Sequence, residues 1–100
     1  MKIFCSILFL TVTGYYSVAK TIPVGKQYEF HSITAAMLSA VNGDTILVNA
    51  GNYNEKNLVI NKSIALVGLN HPVLDGENKY EVISIKANGV SVIGFTIIHS

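Results

Sequence analysis

The stretch GDTILVNAGNYNEKNLVINKSIALVG, from Gly43 to Gly68, decides the fold. It contains three short apolar segments, TILV, LVI and IALV, which are separated by turns rich in glycine and asparagine. No helical pattern lies between the segments, and each is short for a strand of an ordinary β-sandwich. Such strands suit a structure in which every strand pairs with its equivalent one turn of the chain later.

A repeat of about 25 residues supports this arrangement. Leu58–Ile60 resembles Ile83–Ile85 at a spacing of 25 residues, and Ile64–Gly68 resembles Val90–Gly94 at a spacing of 26. Two further matches are predicted: Val48 and Gly51 with Val73 and Gly76, and Thr21–Val24 with Thr45–Val48. Three short strands in each repeat are typical of one coil of a parallel β-helix.

The sequence therefore predicts an all-β fold, a right-handed parallel β-helix of the pectin lyase-like solenoid type. Side chains alternate between the two faces of a strand, so every second residue should point into the core. The predicted inward set is Ile46, Val48, Leu58, Ile60, Ile64, Leu66, Ile83, Ile85, Val90 and Val92. The predicted outward set is Thr45, Val59, Ala65, Ser84 and Ser91. The rival, a jelly roll or sandwich, predicts hairpins with tight two-residue loops that the sequence lacks.

One helix is predicted, from Ile33 to Val41. Ser32 is a typical N-cap residue, and Asn42-Gly43 supplies a left-handed stop. One face of this helix is apolar, with the spacing of an amphipathic α-helix: Ile33, Ala36, Met37, Ala40 and Val41. Because a solenoid exposes its core at its ends, this N-terminal capping α-helix is expected to cover the first coil.

Residues 1–19 have the pattern of a secretory signal peptide. A positive start at Lys2 precedes an apolar stretch, and Ser17-Val18-Ala19 predicts cleavage after Ala19. The alternative, an uncleaved membrane anchor, needs about 20 apolar residues, more than this interrupted stretch provides. Cleavage would remove Cys5, the single cysteine of the 100-residue sequence. Residues 20–100 are then expected to form the N-terminal cap and the first two to three coils of a β-helix domain that continues beyond this chain.

The charge balance excludes some classes of partner. The sequence has seven lysines and arginines against six acidic residues. Removal of Lys2 leaves six lysines, no arginine and a formal net charge of zero. This composition argues against binding to nucleic acid or to an anionic membrane surface, both of which require a basic face.

The sequence from Lys20 onwards resembles the amino-terminal region of the NosD family, periplasmic copper-binding proteins that mature nitrous oxide reductase. The resemblance rests on four motifs: the GDTILV strand after the helix, Gly51-Asn52-Tyr53, Pro72–Gly76, and the Gly89-Val90 turn leading into Gly94–Ile97. It implies an exported, periplasmic accessory protein that works with ABC-type transporter components and with nitrous oxide reductase, and it implies copper as the metal. The cysteine pair near the mature start of many family members has no counterpart at Val24–Tyr28.

The same block also resembles the opening of β-helix proteins that bind carbohydrate or degrade polysaccharides. This gives the alternative function, with carbohydrate as the ligand. A glycosidase needs two carboxylates on either side of the bond that it cleaves. Asp75, Glu77 and Glu81 form an acidic cluster, but Asp75-Gly76 followed by Glu77-Asn78 is first a turn sequence. An enzymatic role therefore stays open, and a non-enzymatic role is favoured.

No catalytic, cofactor-binding or metal-ligating residue is assigned from the sequence. In an exported chain without cysteine, copper would favour histidine and methionine ligands: His31, His71, His99 and Met37. The three histidines show no helical or one-residue spacing and are interpreted as surface turn residues, and Met37 as a core residue. Asn61-Lys62-Ser63 matches an N-glycosylation sequon and is interpreted as a turn. Tyr53 and Tyr80 could stack on sugars, but packing against the coil is expected.

Overall fold

The computed structural model describes residues 18–100. The predicted signal peptide therefore lies outside the described residues, apart from Val18 and Ala19. No helix in the described part of the chain is long and apolar enough to cross a membrane. The elements in chain order are β1 (Thr21–Val24), α1 (Ile33–Ser39), β2 (Thr45–Val48), β3 (Asn52–Tyr53), β4 (Leu58–Ile60), β5 (Ala65–Gly68), β6 (Val73–Asp75), β7 (Ile83–Ile85), β8 (Ser91–Ile93) and β9 (Thr96–Ile98).

The strands form three narrow sheets with the orders β1-β2-β5-β8, β3-β6-β9 and β4-β7. Every strand pair within residues 18–100 is parallel. The chain passes from the first sheet to the second and then to the third before it returns to the first. This is a parallel β-solenoid of about three turns. It excludes the jelly roll and sandwich for the described residues, because both require antiparallel hairpins.

The predicted inward–outward register is confirmed in the first sheet. Ile46 pairs with Leu66, and Leu66 pairs with Val92, so these three side chains form one column across adjacent turns. Ile46 and Leu66 are fully buried. The outward prediction also holds for Ala65, which is half-buried between Thr45 and Ser91 on the other face.

The third sheet shows the same alternation, with a difference in its last strand. Leu58 and Ile60 are buried, whereas Val59 between them is exposed. Ile83 and Ile85 pair with Leu58 and Ile60 as predicted. Ile85 is nevertheless 54% exposed, because no further strand pairs with β7 on its open side, whereas β4 is packed against α1.

Part of the predicted repeat is wrong. Val48 pairs with Gly68 in the first sheet, whereas Val73 pairs with Asn52 in the second, so Val48 and Val73 are not equivalent. The turns differ in length: Thr45 pairs with Ala65, but Ala65 pairs with Ser91. A single repeat length of about 25 residues therefore cannot match every strand with its paired neighbour in all three sheets. Asn52-Tyr53, part of the Gly51-Asn52-Tyr53 motif, forms the two-residue strand β3.

The predicted helix is confirmed at its start and ends early. The Ser32 hydroxyl accepts a hydrogen bond from the backbone N–H of Ala35 at 3.1 Å, as an N-cap does. The helix ends at Ser39, and Ala40 is already extended. Ala40 is still buried, but Val41 is 48% exposed, so its predicted place on the apolar face is wrong. The helical spacing no longer applies once the backbone leaves the helix.

Two glycines form a close backbone contact between successive turns. Gly68 ends β5, and Gly94 follows β8 one turn later with a φ of +85°. A Cβ atom on Gly68 would lie 2.6 Å from the carbonyl oxygen of Gly94. No side chain fits at that distance, and the left-handed backbone at Gly94 also favours glycine. The repeated glycine after the first-sheet strand therefore reflects close backbone packing.

The register leads to a paired prediction. Leu66→Asp places a carboxylate in the buried column and removes a leucine side chain, a loss of about 2–5 kcal/mol by comparison with large-to-small core substitutions. The buried charge adds a further cost. Ala65→Asp lies on the outer face and is expected to cost about 0.5 kcal/mol or less. Thermal or denaturant unfolding of both variants measures the difference, and a larger loss for Ala65→Asp would contradict the register.

Candidate functional site: a groove beside the helix

A groove of about 270 Å³ lies between α1 and the strand β4. Its floor is apolar, and two lysines stand among its lining residues. The lining residues are Thr34, Met37, Leu38, Lys56, Asn57, Leu58, Val59, Asn61 and Lys62. The helix supplies one wall and the segment around β4 supplies the other, so the shape of the groove depends on how these two elements are held together.

Two charged side chains that flank β4 in the sequence hold the two ends of the helix. The Glu55 carboxylate accepts hydrogen bonds from the backbone N–H groups of Ile33 and Thr34, the latter at 2.7 Å, and from the Thr34 hydroxyl. At the other end, the Lys62 ammonium donates to the carbonyl oxygens of Met37 at 2.8 Å and Ala40 at 2.6 Å. A carboxylate at the amino end and an ammonium at the carboxyl end both complement the helix dipole.

The helix has no charged residue of its own that could complement its dipole. Its first turn contains no acidic residue and its last turn no basic one. Seven residues make an unstable helix in isolation, because short helices are marginal without tertiary packing. Ile33, Ala36 and Met37 supply that packing by burial in the core, and α1 contacts β1, β2 and β4. Glu55 and Lys62 therefore fix the position of the helix against the coil.

Asn61 stands at the rim of this groove with an exposed side chain. The next two residues are engaged with neighbouring turns. Lys62 holds α1, and the Ser63 hydroxyl donates to the Asn88 carbonyl at 2.6 Å. Asn57, Asn70 and Asn78 have left-handed backbone angles, which explains asparagine at those turns, but Asn61 does not have a positive φ. A left-handed turn therefore does not account for asparagine at position 61.

A second groove, of about 390 Å³, is lined by Lys26, His31 and the segment 50–53. Tyr53 is buried here, and its hydroxyl donates to the Asn49 carbonyl at 2.8 Å. Burial raises the pKa of the Tyr53 phenol, and the negative charge of Glu55 raises it further. The packing role expected for Tyr53 is confirmed. Tyr80 lies elsewhere, with the Lys56 ammonium 5.6 Å from its ring centre, a cation–π contact.

The copper-ligand candidates occupy different places. Met37 is buried in the core, which confirms its predicted packing role. His31 borders the second groove, and His71 lies in a left-handed turn conformation. His99 has its Nδ1 atom 2.9 Å from Oδ1 of Asp75. Across residues 18–100, no three histidine, cysteine, aspartate or glutamate side chains come close enough to hold a metal ion. The copper-binding role stays a prediction.

The acidic cluster is a turn, as expected. Oδ1 of Asp75 accepts a hydrogen bond from the backbone N–H of Glu77 at 2.8 Å, and Glu77 itself has a positive φ. This N–H, together with His99, lowers the pKa of Asp75. The Glu77 carboxylate accepts from the Asn54 amide, whereas that of Glu81 accepts from the Ser84 hydroxyl. The three carboxylates therefore have separate structural partners.

Asp44 is a charged residue whose role the sequence did not reveal. Its side chain is completely buried at the start of β2. It accepts hydrogen bonds from the backbone N–H of Lys20 at 3.0 Å, the Lys20 ammonium at 2.8 Å and the backbone N–H of Val41 at 2.9 Å. The Lys20 ammonium is the main cause that lowers the pKa of Asp44 from 3.8 to about 2, with the two backbone N–H groups adding to the effect. Lys20 lies one turn away from Asp44. The spacing of the sequence repeat could therefore have predicted that these two residues pair.

Asp44 leads to a prediction about acid stability. Since folding lowers its pKa, the stabilisation from the ionised carboxylate is fully present above pH about 4 and is lost as the pH falls towards 2. Asp44→Asn should therefore lower the melting temperature at pH 7 and flatten the stability profile between pH 4 and pH 2. Thermal melts across that range measure both effects. Asp75→Asn is the matched control, because Asp75 is more exposed and should matter less; equal effects of the two variants would contradict this role of Asp44.

Comparisons with known proteins give one informative likeness. The chain is 30% identical over 95 residues to a protein named cell surface glycoprotein from Methanothermus fervidus. The alignment covers 92% of this chain and 16% of that protein, so the chain spans about a sixth of the length of its relative. No protein-family model matches the chain, and no solved structure matches it.

Proposed function

We propose that this chain is part of an extracytoplasmic surface protein, in which the parallel solenoid serves as a structural unit. The observation that carries the proposal is the likeness to the cell surface glycoprotein along 92% of the chain. The role requires export, which agrees with the predicted signal peptide at residues 1–19. A periplasmic or an outer-surface location satisfies the proposal.

The fold suits this role physically. Residues 18–100 contain no cysteine, so the fold needs no disulfide outside the cell. Each turn packs on its neighbours, and a stack of this kind can extend by adding turns. The right-handed sense of the coil and the capping of its first turn by α1 are part of the proposal. The hydrogen bonds from Glu55 and Lys62 to the two ends of α1 support the capping role.

We further propose Asn61 as a glycan attachment site of this surface protein. Its support is the sequon Asn61-Lys62-Ser63, the exposed side chain and the absence of a left-handed backbone that would demand asparagine. The donor would be a lipid-linked oligosaccharide. The Asn61 amide nitrogen would form a bond to the anomeric carbon of the sugar, lose a proton, and release the lipid phosphate or diphosphate. The glycan would then cover the exposed rim of the groove, where Leu38 is 80% exposed.

Location and glycosylation are tested together on the protein from its source cells. Surface labelling and fractionation should place it outside the cytoplasm. Tryptic cleavage after Lys56 and Lys62 should release the peptide 57–62 with an added glycan mass on Asn61. Asn61→Gln should abolish the mass, whereas Ser63→Thr, which preserves the sequon, should retain it. A cytoplasmic protein would contradict the surface role, and an exported protein with an unmodified Asn61 would contradict the glycan site alone.

The second candidate is the NosD-like role, an accessory in copper-centre maturation of nitrous oxide reductase together with ABC-type transporter components. The specific observation in its favour is the parallel solenoid, which that family resemblance implied. Deletion of the gene should then leave a reductase without its catalytic copper centre, and a fully active reductase would contradict the role. Carbohydrate binding on the same scaffold is the remaining alternative, and the grooves beside α1 and Tyr53 are the surfaces that would be probed for it.

A further inference from the structure

The first described turn begins at a buried carboxylate. Lys20 immediately precedes β1, and its carbonyl oxygen accepts a hydrogen bond from the backbone N–H of Thr45 at 2.9 Å. Its backbone nitrogen donates to Oδ1 of Asp44 at 3.0 Å, and its side-chain ammonium donates to Oδ2 at 2.8 Å. The two residues before it, Val18 and Ala19, are exposed. Within residues 18–100, the hydrogen bonds from this end of the described chain to Asp44 start at the Lys20 nitrogen itself.

We propose that Asp44 is the binding site for the amino terminus that signal-peptide cleavage creates at Lys20. Hydrolysis of the Ala19–Lys20 bond adds water across the peptide: the Ala19 carbonyl carbon gains the hydroxyl group and the Lys20 nitrogen leaves as an amine. This amine takes up a proton near neutral pH and becomes an α-ammonium group. The nitrogen already lies at hydrogen-bond distance from a carboxylate oxygen, so no rearrangement is needed to form the ion pair.

Cleavage changes the kind of interaction at this point. In the uncut chain a neutral peptide N–H donates to Asp44, whereas in the cut chain a charged group donates to the same oxygen. Charge-assisted hydrogen bonds are roughly twice as strong as neutral ones. A carboxylate without exposure to water gains most from such a partner, since a buried charge needs compensation by opposite charge and by hydrogen bonds. The two oxygens of Asp44 can serve the two amino groups of Lys20 separately.

The consequence is that processing stabilises the folded solenoid. Among the described residues of the uncut chain, Asp44 has one cationic partner, the Lys20 side chain, whose exposed fraction is 51%. The cut chain has a second cation whose position is fixed by the backbone of β1. Because Val18 and Ala19 are exposed, the bond to be cut lies at the surface and its loss removes no buried side chain. The inference rests on the export that the proposed function requires.

The test uses the full chain with a protease recognition site in place of residues 16–19 and a soluble carrier ahead of Met1. Cutting this chain releases Lys20 with a free amine. The melting temperature of the solenoid, measured at pH 6 before and after the cut, should rise on cutting. The matched control has one extra glycine between the site and Lys20, which moves the new amine by one residue, about 3.8 Å along the chain. Its rise should be much smaller.

Two side-chain variants identify the partner of the amine. In Asp44→Asn the rise on cutting should disappear, whereas in Lys20→Met it should remain, because the α-amine is still present. If Asp44→Asn does not fold, the glycine-extended chain alone decides the matter, since it retains every side chain. Equal rises for the native and the extended amino termini would overturn the inference.

The identity of the amino-terminal residue of the exported protein shows whether this inference or the proposed function has failed. A surface-located protein that begins at Lys20 and shows the melting difference supports both. A surface-located protein that begins at another residue overturns the inference and leaves the surface role intact. A protein that stays in the cytoplasm with residues 1–19 attached overturns both.

Discussion

The in-register parallel pairing of equivalent strands is the constraint on which the rest of the structure depends. Strands of two to four residues make few hydrogen bonds each, so none of them is stable alone. They are stable because Leu66 lies between Ile46 and Val92, and because Leu58 and Ile60 pair with Ile83 and Ile85 in the third sheet. A shift by one residue would turn every inward side chain outward. The short turns, the burial of alternate residues and the close contact of Gly68 with Gly94 all follow from this pairing.

The charged side chains secure the parts of the chain that the strand pairing does not hold. Asp44 fixes the start of β1 through Lys20, and Glu55 and Lys62 fix the two ends of α1. Each of these contacts joins residues about one turn apart, so the repeat brings together groups that are distant in sequence. This arrangement also forms the groove beside α1, with the exposed Asn61 at its rim. The proposed surface role would use them as the place for a glycan or a ligand outside the core.

The sequence predicted the features that depend on local pattern. Alternation identified Leu66 as inward and Ala65 as outward, and Ser32 was correctly recognised as the N-cap of the helix. The prediction failed where the outcome depends on turn length or on contacts across turns. Val48 and Val73 share a spacing but lie in different sheets, because the connections between sheets vary in length. The sequence neighbours of Asp44 and Glu55 are ordinary. The folded coil shows that Asp44 binds Lys20 before β1 and that Glu55 binds the start of the helix.

Engineered cross-linking between adjacent turns tests the parallel register of the strands most directly. Val59 and Ser84 are paired on the outer face of the third sheet. Cysteines at these two positions, with Cys5 replaced by serine, should form a disulfide, since paired strands lie about 4.8 Å apart and disulfides span about 4.4–6.8 Å between Cα atoms. Cysteines at Val59 and Lys86, two residues out of register on the same face, should cross-link much less. Rapid cross-linking of the Val59–Ser84 pair alone is the predicted result, and equal or faster cross-linking of the Val59–Lys86 pair would contradict the solenoid described above.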